Sequence, residues 1–190
     1  MVTERRDQKM TRIVDLTAGN RTYWRKEAKF LAGVTYCDSE TRLDVQPDRI
    51  EDFRNTSFEN GSVDVIFLDP PHSWRSSETL SIFTTPNRKM MEARFGKSYD
   101  GNRPPRYYGW DKFKTKEELM EALRLLVKEC HRILDDNGMI WLRWNEVAIP
   151  YNEVLPIFVE RFIESFRLNV SSPHKTSKIK TIWACFIKRN

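Results

Sequence analysis

Paired cysteines, metal-ligand spacings and long apolar runs are what this chain lacks. Its three cysteines, Cys37, Cys130 and Cys185, stand far apart, with no CxxC and no cluster of histidines. A disulfide framework needs an even set of cysteines and a structural zinc site needs closely spaced ligands, so both are set aside. All three are read as core thiols, and no metal is expected. No hydrophobic stretch approaches the length of a membrane span, and no membrane partner is expected. The opening residues, MVTERRDQKMTR, lack the apolar centre of a signal peptide. The expected location is intracellular, in the cytoplasm.

What is present is a soluble globular composition, with 39% hydrophobic and 31% charged residues over 190 positions. That length suits one domain with a substantial core. The formal charge of +5 leans weakly toward a polyanionic partner. Apolar runs read as strands at RIVDLT, VTYCD, around Ile50, SVDVIFLD, MIWLRW and TIWACFIK. RTYWRKEAKFLAG reads as a helix stopped by Gly33. Thr115 and Glu118 form a capping box ahead of a helix whose Leu119, Leu123, Leu126 and Cys130 share one face, with Gly138 as its end. A further helix is expected from about Leu155 to Phe166, with Phe158, Phe162 and Phe166 one turn apart. Strands alternating with helices predict an α/β fold built on a mainly parallel sheet. In such sheets ligands bind beyond the carboxyl ends of the strands. Asp15, Asp38 and Asp69 each fall at such an end.

Two stretches carry chemistry. In VDLTAGNR a strand, a glycine turn and a helix start form an arrangement that suits an anionic or nucleotide ligand, or else an ordinary strand-to-helix turn. Asp38, nineteen residues past Gly19, is placed to hold ribose hydroxyls, or to cap the turn DSET. Asp52 with Phe53 could bind an adenine amine and pack on its face, or be a solvated acid in a loop. In FLDPPHSW, proline rigidity holds Asp69 and Pro70 extended. A carboxylate and the Pro70 carbonyl then offer two acceptors to one amino group; a simple Pro-Pro strand stop is the alternative.

DPPH resembles the (D/N/S)-P-P-(aromatic) signature of class I S-adenosylmethionine-dependent amino-methyltransferases, and DLTAGNR resembles their D-x-x-x-G-x-G motif. The likeness runs from about Arg12 to Lys188. It is nearest to compact proteins of phages and archaea that share DFRN, DPPH and RWNE-type strings, with a gamma-like motif order. The resemblance implies a Rossmann-like class I methyltransferase fold with a C-terminal antiparallel strand, in one domain over residues 1–190. S-adenosylmethionine is the implied cofactor, its methionine end held by Asp15, Thr17, Ala18, Gly19, Asn20 and Arg21. Asp38 would take the ribose and Asp52 with Phe53 the adenine. Asp69, Pro70, Pro71 and His72 would be the catalytic set. Arg21 stands where the motif has its second glycine, and it is a candidate partner for the cofactor carboxylate. His72 stands where an aromatic is usual, with Trp74 as a possible substitute for stacking.

Residues 75–115 interrupt the pattern. They hold nine bases against four acids, interleaved with aromatics. Arg103, Arg106, Tyr107, Tyr108 and Trp110 in this insertion are candidate contacts to phosphates and unstacked bases; a basic lid packed on the core is the other reading. The expected acceptor is an exocyclic amine of a nucleic-acid base, DNA adenine-N6 or cytosine-N4 first. RNA guanine-N2, a protein glutamine, or a noncatalytic nucleic-acid-binding module are the alternatives.

Overall fold

A computed structural model of the chain describes residues 11–41, 43–74, 112–146, 148–171 and 180–189. Seven strands form one sheet: β1 (Ile13–Asp15), β2 (Val34–Asp38), β3 (Arg49–Ile50), β4 (Val63–Leu68), β5 (Leu134–Asn145), β6 (Phe162–Ser171) and β7 (Lys180–Lys188). Their order is β3-β2-β1-β4-β5-β7-β6. The pairs β1–β2, β1–β4, β2–β3 and β4–β5 are parallel, and β7 runs antiparallel to both β5 and β6. The mainly parallel sheet with a reversed C-terminal strand is the expected architecture. The chain moves outward from β1 to β3, then crosses to β4 on the other side of β1. The strand order therefore reverses between β1 and β4, the place in open sheets of this kind where ligands bind beyond the carboxyl ends of the strands.

Two helices cover one face, α1 (Lys116–Ile133) and α2 (Tyr151–Val159). The capping box is formed: the Thr115 hydroxyl accepts from the Glu118 amide at 3.2 Å, and Glu118 reaches back to the Lys114 amide at 2.7 Å. Leu119, Leu123, Leu126 and Cys130 are fully buried along α1 and pack with Ile66, Leu68, Ile140, Leu142, Phe158 and Phe186. The opposite face is built by the alternate residues of the same strands. There Ile13, Val34 and Tyr36 pack with Ala18 and Trp24.

Three expected elements differ. No helix forms after β1: only a single 3-10 turn, Lys26–Ala28, interrupts a run of bends. Arg21 has a left-handed φ of 54°, and Tyr23 and Trp24 are turned onto Asp15. Tertiary partners take the side chains that a helix would have spread around its axis. Secondly, Gly138 does not end α1. Leu134 is the extended C-cap, and Gly138 lies inside β5, where a Cβ would meet the Asp64 carbonyl at 2.9 Å. Thirdly, α2 stops at Val159, and Phe162 and Phe166 belong to strand β6. The β-branched and aromatic positions of FIESFRLNV satisfy their backbone against β7 rather than continue a helix.

Candidate active site

The carboxyl ends of β1, β2, β4 and β5 place the functional side chains. Asp15 closes β1 and is fully buried. Its carboxylate accepts the Thr17 amide at 3.1 Å, the Tyr23 hydroxyl at 2.5 Å and the Trp24 indole N–H at 2.8 Å. Burial pushes this carboxyl up to about 7 against the pull of those three donors, with the Asp69 charge adding to the rise. Burial raises the Tyr23 phenol well above its usual range, and the Asp15 charge adds to it. Tyr23 also meets Trp183 edge-on at 5.9 Å, and Trp24 meets Phe67 at 4.9 Å. The bends after β1 therefore lie across the sheet toward β7.

The turn that follows β1 is stitched to β2. The Ala18 amide bonds the Cys37 carbonyl at 2.9 Å, and the Gly19 amide bonds Asp38 Oδ2 at 2.9 Å. Asp38 Oδ1 accepts the Glu40 amide at 2.8 Å. Gly19 has φ of 49°, a left-handed backbone that glycine adopts without penalty, and Arg21 repeats it two residues on. The backbone of a G-x-G turn is thus present although its second residue is arginine. Asn20 Oδ1 accepts the Asp44 and Val45 amides and ties the turn to the loop after β2. The Arg21 side chain, 2% exposed, gives its donors to the Lys29 and Gln46 carbonyls and to Asp48. The guanidinium is thus held among protein partners, with its Nε buried and unpartnered among the described residues.

Asp52 holds Arg54 in a bidentate pair, which keeps its carboxyl below the usual range. Phe53 is buried in the main core. Lys112 reaches across to Ser39 Oγ at 2.7 Å, beside Asp38, from the far end of the insertion.

Asp69, one residue past β4, is the centre of the second group. Its amide donates to Thr17 Oγ1 at 2.6 Å, so Thr17 touches both acids of the site. Its carboxylate side chain is 9% exposed and accepts Arg143 Nη1 on Oδ2 at 2.6 Å. Oδ1 is buried without a hydrogen-bond partner among the described residues. Burial raises the Asp69 carboxyl, and the Arg143 charge opposes it. The β4–β5 register explains the pair: Leu68 lies opposite Leu142, so the next residues, Asp69 and Arg143, face each other on the same side of the sheet. His72 is held below its ordinary value by burial, with the Asp69 charge and a bond to the Pro70 carbonyl working the other way. Its ring meets Trp144 edge-on at 6.2 Å. Pro70 is buried, Pro71 is half-buried, and Trp74 packs on the main core.

Arg143, Tyr23 and Trp183 were not singled out from sequence. The signal for Arg143 is a lone charge in the apolar run MIWLRW, one strand over from the DPPH acid. Arg103, Arg106, Tyr107, Tyr108 and Trp110 lie outside the described residues. Among the described residues no group of three His, Cys, Asp or Glu side chains could hold a metal ion, and no helix is long and apolar enough to cross a membrane.

No protein-family model and no curated protein matches the sequence. Solved structures do match in fold. The PH0226 protein of Pyrococcus horikoshii OT3 superposes with a TM-score of 0.54 at 12% identity, over 97% of this chain and 84% of that one. The N-methyltransferase NodS of Bradyrhizobium japonicum WM9, in complex with S-adenosyl-L-homocysteine, gives 0.52 at 12% identity, over 95% and 79%. The 1,6-didemethyltoxoflavin-N1-methyltransferase of Burkholderia thailandensis, with 1,6-didemethyltoxoflavin and S-adenosylhomocysteine bound, gives 0.51 at 10% identity, over 94% and 71%. Together with the strand order and the reversed β7, these likenesses show that the chain has the Rossmann-like methyltransferase fold.

Proposed function

We propose that this protein is an S-adenosylmethionine-dependent methyltransferase acting on an amino group conjugated to a ring, with the exocyclic amine of a nucleic-acid base, DNA adenine-N6 or cytosine-N4, as the favoured acceptor. One observation carries the reading: in a methyltransferase fold, the acid after β4 is buried, fixed by Arg143 through one oxygen, and left with the other oxygen unpartnered. A buried acceptor without a partner is costly in any protein and is expected where a ligand supplies the missing donor. The base-rich, aromatic-rich composition of residues 75–115 supports a nucleic-acid acceptor. The 1,6-didemethyltoxoflavin bound to the Burkholderia thailandensis N1-methyltransferase favours a second reading, a nitrogen of a small heteroaromatic molecule.

The residues present fit the cofactor. The left-handed backbone at Gly19 and Arg21 shapes the turn over the end of β1, and Asp38 lies against it at the end of β2, where a diol is held in such folds. The turn Thr17–Asn20 would hold the methionine end, shaped from beneath by the buried Asp15 through its bond from the Thr17 amide, and Asp52 would hold the adenine. When bound, the cofactor supplies an electrophilic methyl group and leaves as a neutral thioether.

The chain's own residues do the rest. Asp69 Oδ1 accepts one N–H of the amine, and the Pro70 carbonyl, which already bonds His72, offers its second lone pair to the other. Drawing on those hydrogens localises the nitrogen lone pair, which conjugation otherwise withdraws into the ring. As the N–C bond forms, the nitrogen must lose one proton, and Asp69 Oδ1 is in place to take it. Burial raises that carboxyl, and the Arg143 charge works the other way, favouring the charged form that can take the proton. Tyr23 and Trp24 fix the buried Asp15 beside Thr17, whose hydroxyl accepts the Asp69 amide. Catalysis here is mostly positioning, which supplies roughly 7–11 kcal/mol in favourable cases.

The test has two stages. Isothermal titration with S-adenosylhomocysteine should show binding; no binding at millimolar ligand overturns the reading. Tritiated methyl transfer onto DNA, RNA, protein and small aromatic amines then identifies the acceptor. Asp69→Ala should abolish transfer and leave cofactor affinity within a few-fold. Transfer surviving at near the original rate would remove Asp69 from the catalytic role.

A further inference from the structure

We infer that Arg143 contacts the acceptor substrate and reads a lone pair adjacent to the amine that is methylated. This rests on the methyltransferase reading and goes beyond it, because it assigns a specificity residue on β5.

Two observations converge. Asp69 Oδ1 is a buried acceptor with nothing to accept from among the described residues. Arg143, bonded to the other oxygen of the same carboxylate, is 27% exposed in its side chain. Among the described residues its guanidinium makes no hydrogen bond besides the one from Nη1 to Asp69 Oδ2 at 2.6 Å. A guanidinium carries five N–H groups in a planar fork, so four remain for other partners. The site thus sets an unpartnered buried acceptor beside a partly exposed charged donor along one edge, on one face of the sheet, the two fixed to each other by an ion pair.

Such an edge is complementary to a group with an N–H beside a lone pair. An amine next to a ring nitrogen has that pattern, as does a carboxamide with its carbonyl. An aniline or an alkylamine offers the N–H alone. Arg143 donating to the neighbouring lone pair fixes the rotation of the ring about the amine. No additional reactant is needed: the donor bond only orients, and the proton released on methylation still goes to Asp69.

Asn145 is two residues further along β5, so strand alternation puts it on the same face as Arg143. Its Oδ1 is also buried without a partner among the described residues.

The test measures binding to the complex with S-adenosylhomocysteine, by calorimetry or ligand-detected NMR, for matched pairs. These are 2′-deoxyadenosine against its 1-deaza analogue, 2′-deoxycytidine against its 3-deaza analogue, and benzamide against benzylamine. Each first member carries the lone pair and each second lacks it. The expected result is that at least one first member binds, about tenfold or more tighter than its mate, the loss typical of one hydrogen bond to a charged group. In Arg143→Met the preference should fall to within about twofold. Arg143→Lys keeps a cation beside Asp69 but not the planar fork, and it should also lose the preference while still binding S-adenosylhomocysteine; this covers the case in which the methionine variant fails to fold. Equal affinity within every pair, no binding by any first member, or an undiminished preference in Arg143→Lys overturns the inference. Failure of S-adenosylhomocysteine itself to bind overturns the functional reading beneath it, so the two failures are distinguishable.

Discussion

The guanidinium of Arg21 lies 3.8 Å from the centre of the Tyr36 ring, stacked beneath the turn that a glycine would ordinarily complete. It bonds the Lys29 carbonyl at 2.6 Å, the Gln46 carbonyl at 3.0 Å and Asp48 at 3.0 Å. One side chain therefore ties the bends after β1 to the loop after β2. The strained backbone is held because Nη1 and Nη2 bind both segments, while Nε stays buried without a partner among the described residues.

Replacing Arg21 with glycine should therefore destabilise the protein, although glycine suits a φ of 54° better. Relief of the left-handed backbone is worth about 1–2 kcal/mol. Loss of the hydrogen bonds from the charged guanidinium to the Lys29 and Gln46 carbonyls is worth about 3–4 kcal/mol together, and the pair with half-exposed Asp48 adds little. Urea unfolding should show a net loss of about 1–3 kcal/mol by that difference. S-adenosylhomocysteine affinity in the folded variant should change little. A variant more stable than the parent would mean that the clasp contributes nothing.

Asp15 should give the stability a characteristic pH dependence. Its carboxyl sits at about 7 in the fold against an ordinary 3.8. Between those values the folded protein holds a proton that the unfolded chain has released. Stability attributable to this group therefore falls as pH rises from about 4 to about 7, and is level above that. Asp15→Asn cannot titrate, so its stability relative to the parent should climb across the same window. Tyr23→Phe removes a donor to the charged form and should extend the window upward. Thermal melts of the three proteins at several pH values check this; a constant difference between Asp15→Asn and the parent across the window would refute it.

Much of the frame was legible in the sequence because it rests on local rules. Continuous apolar runs marked β2 and β4, and the capping box marked the start of α1 to the residue. DPPH marked the end of β4 because two prolines forbid continuation of a ladder. The misses share a cause. The stretch after β1 has helix-forming residues, but Tyr23 and Trp24 are drawn to a buried acid that local pattern does not reveal. Phe158, Phe162 and Phe166 keep helical spacing, yet only the first is on α2, because β7 supplies a partner strand that sequence distance hides. Arg143 escaped notice since its partner lies 74 residues away. The G-x-G turn showed the opposite error: its second glycine is missing from the sequence and its backbone conformation is kept.

Glu129 is the buried charge on α1 that the function does not use. At 6% exposure its carboxylate accepts the Thr56 amide at 2.7 Å, the Thr56 hydroxyl at 2.6 Å and Arg132 at 2.6 Å. Those partners hold its carboxyl below the usual range against burial. A depressed carboxyl contributes stability above its unfolded value, and loses it as pH falls through the folded one. Glu129→Ala leaves the Thr56 amide and Arg132 without their shared acceptor and should cost about 3–5 kcal/mol at neutral pH, less in acid. Denaturant midpoints at neutral and acid pH should converge; a penalty that grows in acid would contradict the assignment.

Gly138 is constrained by space rather than by its own torsion. It sits in the irregular start of β5, where Val63 pairs Leu134 but Val65 pairs Met139, so the residues between bulge from the ladder. A Cβ there would lie 2.6 Å and 2.7 Å from two Leu134 side-chain atoms and 2.9 Å from the Asp64 carbonyl. Leu134 is fully buried and has little room to turn, and the carbonyl belongs to β4. Asp64 in turn anchors Arg12 through a bond at 2.9 Å, so a shift there is felt at the start of β1. Gly138→Ala should therefore destabilise by about 1–3 kcal/mol, the usual cost of overpacking. Gly138→Ala combined with Leu134→Ala tests the source: if the Leu134 side chain were the whole obstacle, the second change would erase the added cost of the first. The Asp64 carbonyl cannot be trimmed away, so part of that cost should persist in the double variant when compared with Leu134→Ala alone.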